Sequence, residues 1–66
     1  MKAHYQFTVD ITGPSMNTHT EVIATDREAA VEKAKTHFGN SGFQILDTPE
    51  GFIASLEPNV YVIKVE

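Results

Sequence analysis

Cysteine is absent from this sequence, so neither a disulfide framework nor a zinc-thiolate site is available to stabilise the fold. Long apolar runs are absent as well. No stretch has the length of a signal peptide's apolar region, and none approaches the roughly 20 residues of a membrane-spanning helix. From these absences we expect a cytoplasmic protein that does not contact a membrane.

Basic residues are few in this chain. Five lysines and arginines stand against nine aspartates and glutamates, which gives a net charge of −4. Because binding to a nucleic-acid backbone depends on clustered positive charge, and these five are scattered, direct nucleic-acid binding is disfavoured. The acidic residues are scattered too, which argues against a mimic of DNA.

The length of 66 residues lies near the lower limit for a domain without covalent staples, and we assign 1–66 to one domain. A hydrophobic fraction of 41% suffices for a single thin core, so we expect a net stability of only a few kcal/mol. Oligomerisation or a bound partner would therefore add noticeably to the stability.

Hydrophobic periodicity predicts five strands and one helix. Alternation of apolar and polar residues is clearest over 5–11, which is typical of a half-buried strand that pairs antiparallel with the next one. We predict strands over 5–11, 20–24, 43–47, 52–57 and 60–65, and a helix over 26–38. The order β-β-α-β-β-β indicates an α+β fold in which a single helix packs on one face of a mostly antiparallel sheet.

The boundaries of the helix are predicted from its capping residues. Thr25 and Glu28 have the spacing of a capping box, and Asp26 is an alternative N-cap. Gly39 is expected to end the helix in the left-handed conformation. Before the helix, residues 12–19 show turn chemistry and no periodicity, so we expect a long loop that is either mobile or functional.

The last predicted strand is apolar on both faces. One helix covers only one face of a sheet, so the strand is either central with its second face buried, or that face is an interface. Val60 and Val62 lie on this second face, and they are our candidates for self-association into a homodimer.

The residues that could bind a metal or act in catalysis form no recognisable site. The three histidines, at positions 4, 19 and 37, lack the close spacing of a metal-ligand motif, and no serine lies in a nucleophile elbow. A domain of this size is also expected to be too small to enclose a pocket of ~300 Å³ without dimerising. We therefore expect no metal, no cofactor and no enzymatic activity.

Surface residues remain as candidates for binding a protein partner. Two such places are Met16 with its loop and the turn that ends at Phe52. For Phe52, a position in the core is favoured two to one over a position on the surface, because most large apolar residues are buried. The polar candidates for partner contact, on the solvated helix face and near the 48–51 turn, are Glu28, Glu32, Lys35, Asp47 and Glu50.

Residues 24–45 combine small residues on one helix face, an aromatic near the helix end and a Gly-Phe pair before the next strand. The residues that carry this pattern are Ala24, Ala30, Glu32, Ala34, Phe38, Gly42 and Phe43. In these features the segment resembles small phage-encoded inhibitors of bacterial RNA polymerase, and the resemblance extends over 5–47. That family carries arginines for partner contact at the positions of Asp47 and Pro49. The helix is also similar to that of HicB-type antitoxins.

The resemblance implies a class of function shared with anti-CRISPR proteins of similar size. Such proteins bind one part of a host enzyme or defence complex and block it without catalysis. We therefore expect a non-enzymatic, phage-like inhibitor or modulator of a bacterial machine, acting by occlusion in the host cytoplasm. One alternative is a self-associating antitoxin-like or structural module that dimerises through its C-terminal strand. Another is a small enzyme or ligand binder with its site at an oligomer interface.

Overall fold

The elements follow one another along the chain in the predicted order. The structure, a computed structural model, describes residues 3–66. Its elements are β1 (Tyr5–Gly13), β2 (Met16–Ala24), α1 (Arg27–Asn40), β3 (Gln44–Thr48), β4 (Gly51–Leu56) and β5 (Asn59–Val65). Neighbouring strands pair antiparallel in the order β2-β1-β5-β4-β3. The α+β fold with one helix on an antiparallel sheet is thus confirmed, as is the antiparallel pairing of the first two strands.

A tight hairpin replaces the long loop expected over 12–19. Gly13 pairs with Met16, so only Pro14 and Ser15 lie between the two strands. The first half of β2 is exposed on both faces. Because an edge segment without a buried face shows no alternation of apolar and polar residues, the expectation of a loop was wrong.

The N-terminus of α1 is capped by Asp26, whose side chain accepts a hydrogen bond of 2.8 Å from the backbone N–H of Ala29. The alternative of an Asp26 N-cap is therefore confirmed, and the Thr25–Glu28 capping box was wrong. Within residues 3–66, no helix is both long enough and apolar enough to span a membrane.

The C-terminus of α1 lies later than the sequence predicts. Gly39 remains inside the helix, and Gly42 is the residue with a left-handed backbone, at φ 90°. The N–H of Gly42 donates to the carbonyl of Gly39 at 3.0 Å, and the N–H of Phe43 donates to that of Phe38 at 3.2 Å. These two bonds form a Schellman motif, and the rings of Phe38 and Phe43 supply its hydrophobic contact at 5.2 Å.

The core lies between α1 and the middle of the sheet. β5 occupies the centre, between β1 and β4, which fits the apolar character of both its faces. The largest fully buried side chains are Val9, Phe52 and Ile63, and Ala30 and Ala34 bring the helix backbone close to them. Small helix residues against large sheet residues keep the two layers in close contact.

Candidate functional site

The face of the sheet opposite α1, here called the open face, carries a continuous apolar row. Strand register places Leu46 beside Ile53 and Ile53 beside Val62, across β3, β4 and β5. Leu46 is 65% exposed and Val62 40%, and Val60, two residues along β5, is 51% exposed. We refer to Leu46, Ile53, Val60 and Val62 as the open-face patch.

The central position of β5 decides how Val60 and Val62 could contact another chain. β5 pairs with β4 over residues 59–64 and with β1 over residues 62–65, so both edges of the strand are paired at Val62, whereas Val60 is paired on the β4 side. Another chain therefore reaches Val62 face to face, because strand-to-strand pairing is closed at that position.

The polar candidates of α1 and β3 form a network beside the helix. Lys35 Nζ contacts the Asp47 carboxylate at 2.5 Å and the Glu32 carboxylate at 3.6 Å. The hydrogen bond from Lys35 to Asp47 raises the pKa of the Lys35 ammonium above its ordinary value. Glu28 lies one helical turn before Glu32 and is exposed. The structure thus brings Glu32, Lys35 and Asp47 together, on the opposite side of the sheet from the open-face patch.

The two candidate residues at the turn between β3 and β4, Glu50 and Phe52, differ in exposure. The Glu50 carboxylate is exposed and lies 3.5 Å from Lys64 Nζ. Phe52 is 0% exposed in the core, so it is not a surface anchor and its interpretation as a core residue was the right one. Sequence reasoning gave no role to Arg27, whose guanidinium donates to the backbone carbonyls of Glu50 and Val65.

A concave surface lies between α1 and the β1–β2 hairpin. Val9, Ile11 and Val22 form its apolar floor, and Thr20 lies at its sheet edge. Its helix side is formed by four residues: Lys33, Ala34, His37 and Phe38. We call this surface the β2–α1 cleft; its volume is about 300 Å³. The cleft is open to solvent at Thr20, Lys33 and His37, so one copy forms a concavity of this volume without enclosing it.

Lys33 and His37 were missed as site residues, although their spacing of four puts them on one side of a helix. The sequence alone shows this spacing of two basic residues. The histidines do not converge: His4 precedes β1, His19 lies on β2 and His37 on α1. In the described part of the chain, no group of three or more His, Cys, Asp or Glu side chains is placed to hold a metal ion.

Comparisons of this chain with protein-family models, with curated proteins and with solved structures found no match.

Proposed function

We propose that this chain is a non-catalytic protein-binding domain that acts by covering a surface of its partner through the open-face patch. The observation that carries the proposal is the exposure of Leu46, Val60 and Val62 around Ile53 on one sheet face. A contiguous apolar surface with polar surroundings is the usual signature of a protein-binding site.

The polar rim of the open face fits the same proposal. Thr12 and Asn17 continue the row from Val62 towards β2, and Gln44 and Lys64 border the patch on β3 and β5. Interfaces of this kind combine an apolar centre with a polar margin that fixes orientation. The resemblance to phage-encoded inhibitors directs the choice of partner towards a component of a bacterial enzyme or defence complex.

Lysine substitutions in the patch test this function. Leu46→Lys and Val62→Lys place a charge where the partner would desolvate it, so each should weaken the complex by about 2 kcal/mol or more. Gln6→Lys is the matched control, because Gln6 is exposed on the same face beside Glu21, away from the patch. Tagged proteins are used to recover partners from bacterial lysates, and each recovered partner is then purified and titrated by calorimetry.

The expected result is a stoichiometric partner that is lost with both patch variants and kept with Gln6→Lys. Recovery of the same proteins with all three variants would overturn the proposal, as would the absence of any stoichiometric partner across several bacterial hosts. Thermal unfolding of each variant shows whether a loss reflects binding or folding.

Self-association is the second candidate, and the exposure of Val60 and Val62 on the central strand favours it. Two copies would pack their open faces against each other, because β5 is an inner strand that pairs with β1 and β4 on its two sides at Val62. Sedimentation equilibrium at high micromolar concentration separates the two candidates: a dimer that Val62→Lys dissociates supports this one, and a strict monomer excludes it.

A further inference from the structure

We propose that the β2–α1 cleft binds an extended acidic–apolar peptide segment, which pairs with the edge of β2 and places an apolar side chain in the cleft. This site lies on the helix side of the sheet, away from the open-face patch. The two proposals therefore concern different surfaces and can be tested independently.

Among residues 3–66, no strand pairs with the outer edge of β2, and this edge is available to such a segment. Thr8 and Glu66 exchange hydrogen bonds of 3.0 and 2.9 Å, so the backbone groups of Thr8 point towards β5. In an antiparallel ladder the direction alternates, so Val9 points towards β2 and pairs with Thr20. The neighbouring residues His19 and Glu21 therefore direct their N–H and C=O groups outwards, at the outer edge of the sheet.

One end of this edge is already closed by the protein itself. Lys33 Nζ donates a hydrogen bond to the carbonyl oxygen of Ile23, which is the next outward-pointing residue of β2. This contact draws the helix over the end of β2 and leaves the stretch from Asn17 to Glu21 for an added strand. Edge strands that pair with a peptide in this way obtain affinity from main-chain hydrogen bonds.

The cleft lies where alternate side chains of the added strand would point. Thr20, on the edge strand, is exposed, whereas Val9, on the next strand, is only 2% exposed, so the cleft deepens from the sheet edge inwards. An apolar side chain entering from the edge would contact Val22 and Phe38. Pockets for alternate side chains are what give specificity to strand addition.

The charge of the cleft indicates that the bound segment is acidic. The chain has a net charge of −4, yet the charged and titratable side chains that line the cleft are Lys33 and His37, both basic. They lie one helical turn apart above the edge of β2. A carboxylate two residues before or after the apolar anchor would lie on their side of the sheet, because residues i and i+2 of a strand share a face.

A proline substitution tests the strand addition directly. The N–H of His19 points away from β1, so His19→Pro removes an outward donor and leaves the β1–β2 ladder intact. His19→Ala keeps the N–H and is the matched control. The probe is a phage-displayed library of random linear peptides, selected on the wild-type protein, and each enriched peptide is synthesised and titrated by fluorescence anisotropy.

The expected result is enrichment of peptides that alternate apolar and acidic residues, with affinity reduced about tenfold or more by His19→Pro and less than about twofold by His19→Ala. Methylating alternate backbone nitrogens of the peptide should cause a similar loss, which keeps the test decisive if His19→Pro fails to fold. Lys33→Gln combined with His37→Gln should remove the preference for acidic residues. Hydrogen exchange at His19 and Glu21 should slow when the peptide binds.

Three outcomes would overturn the proposal. The first is the absence of enriched peptides. The second is peptide binding that neither His19→Pro nor backbone methylation weakens. The third is a dimer of this chain that His19→Pro dissociates, since the edge of β2 would then be occupied by a second copy. Leu46→Lys should leave peptide binding unchanged, which distinguishes this site from the open-face patch.

Discussion

Val65, at the end of the central strand, accepts a hydrogen bond of 2.9 Å from the Nε of Arg27, in the first turn of the helix. The Nη2 of the same guanidinium donates to the carbonyl of Glu50 at 2.6 Å, and that carbonyl also accepts the N–H of Val65 at 3.0 Å. One side chain therefore joins the start of α1, the end of β5 and the β3–β4 turn. In a domain with a thin core, such a link holds the helix in place over the sheet.

Arg27→Lys should lower the free energy of unfolding by about 1–2 kcal/mol. A lysine keeps the charge, but it lacks the planar guanidinium whose two nitrogens donate to Val65 and Glu50 at the same time. Urea unfolding followed by circular dichroism measures the change. Glu28→Gln, at the exposed neighbouring position, should stay within about 0.5 kcal/mol. An Arg27→Lys midpoint equal to that of the wild type would show that the guanidinium contacts contribute no stability.

Gly51 and Gly39 should respond to alanine with opposite signs. A Cβ on Gly51 would lie 2.3 Å from the carbonyl oxygen of Ile63, and backbone at the sheet centre cannot move aside. Gly51→Ala should therefore cost about 2–3 kcal/mol. A Cβ on Gly39 meets nothing within 4 Å, and the residue is helical, so Gly39→Ala should gain up to about 1 kcal/mol. Thermal unfolding of both variants decides; a Gly39→Ala variant with a lowered Tm would contradict the helical assignment of this residue.

The pair of Lys35 and Asp47 should be visible in the pH dependence of stability. Because Asp47 raises the pKa of Lys35 above its ordinary value of 10.5, the pair stabilises the fold below that pH, and the contribution is lost as the pH rises through the raised pKa. Asp47→Asn should lower the pKa of Lys35 in an NMR titration of its side chain, and it should flatten this alkaline loss. Glu32→Gln should have the same effect to a smaller degree, since Glu32 lies farther from Nζ. A pKa that does not move in Asp47→Asn would show that the contact does not persist in solution.

The local signals in the sequence account for most of the fold. Alternation over 5–11 and the turn chemistry at 48–51 act between near neighbours, and so do the small residues of the helix face. They identified the elements and the side of α1 that is buried. They failed where an element has no buried face: the first half of β2 is exposed on both sides, and its pairing is dictated by Pro14 and Ser15 at the turn.

Contacts between distant residues could not be derived in the same way. The acceptors of Arg27 lie 23 and 38 residues further along the chain, and no local pattern marks them. The sheet order, which inserts β5 between β1 and β4, is equally non-local, and the apolar character of both faces of β5 left a central strand as one of two alternatives. The β2–α1 cleft is non-local as well, because residues of β1, β2 and α1 line it together.

The turn between β1 and β2 provides a further prediction, at Ser15. Its φ of 60° lies in the left-handed region, where a side chain clashes with its own backbone and glycine does not. Ser15→Gly should therefore raise the stability by about 0.5 kcal/mol, after allowance for the greater freedom of glycine in the unfolded chain. Ser41→Gly is the matched control, because Ser41 has φ −90° and gains nothing from the exchange. Thermal unfolding should show a higher Tm for Ser15→Gly and a lower one for Ser41→Gly; a Tm of Ser15→Gly at or below that of the wild type would mean that the hairpin turn carries no strain at Ser15.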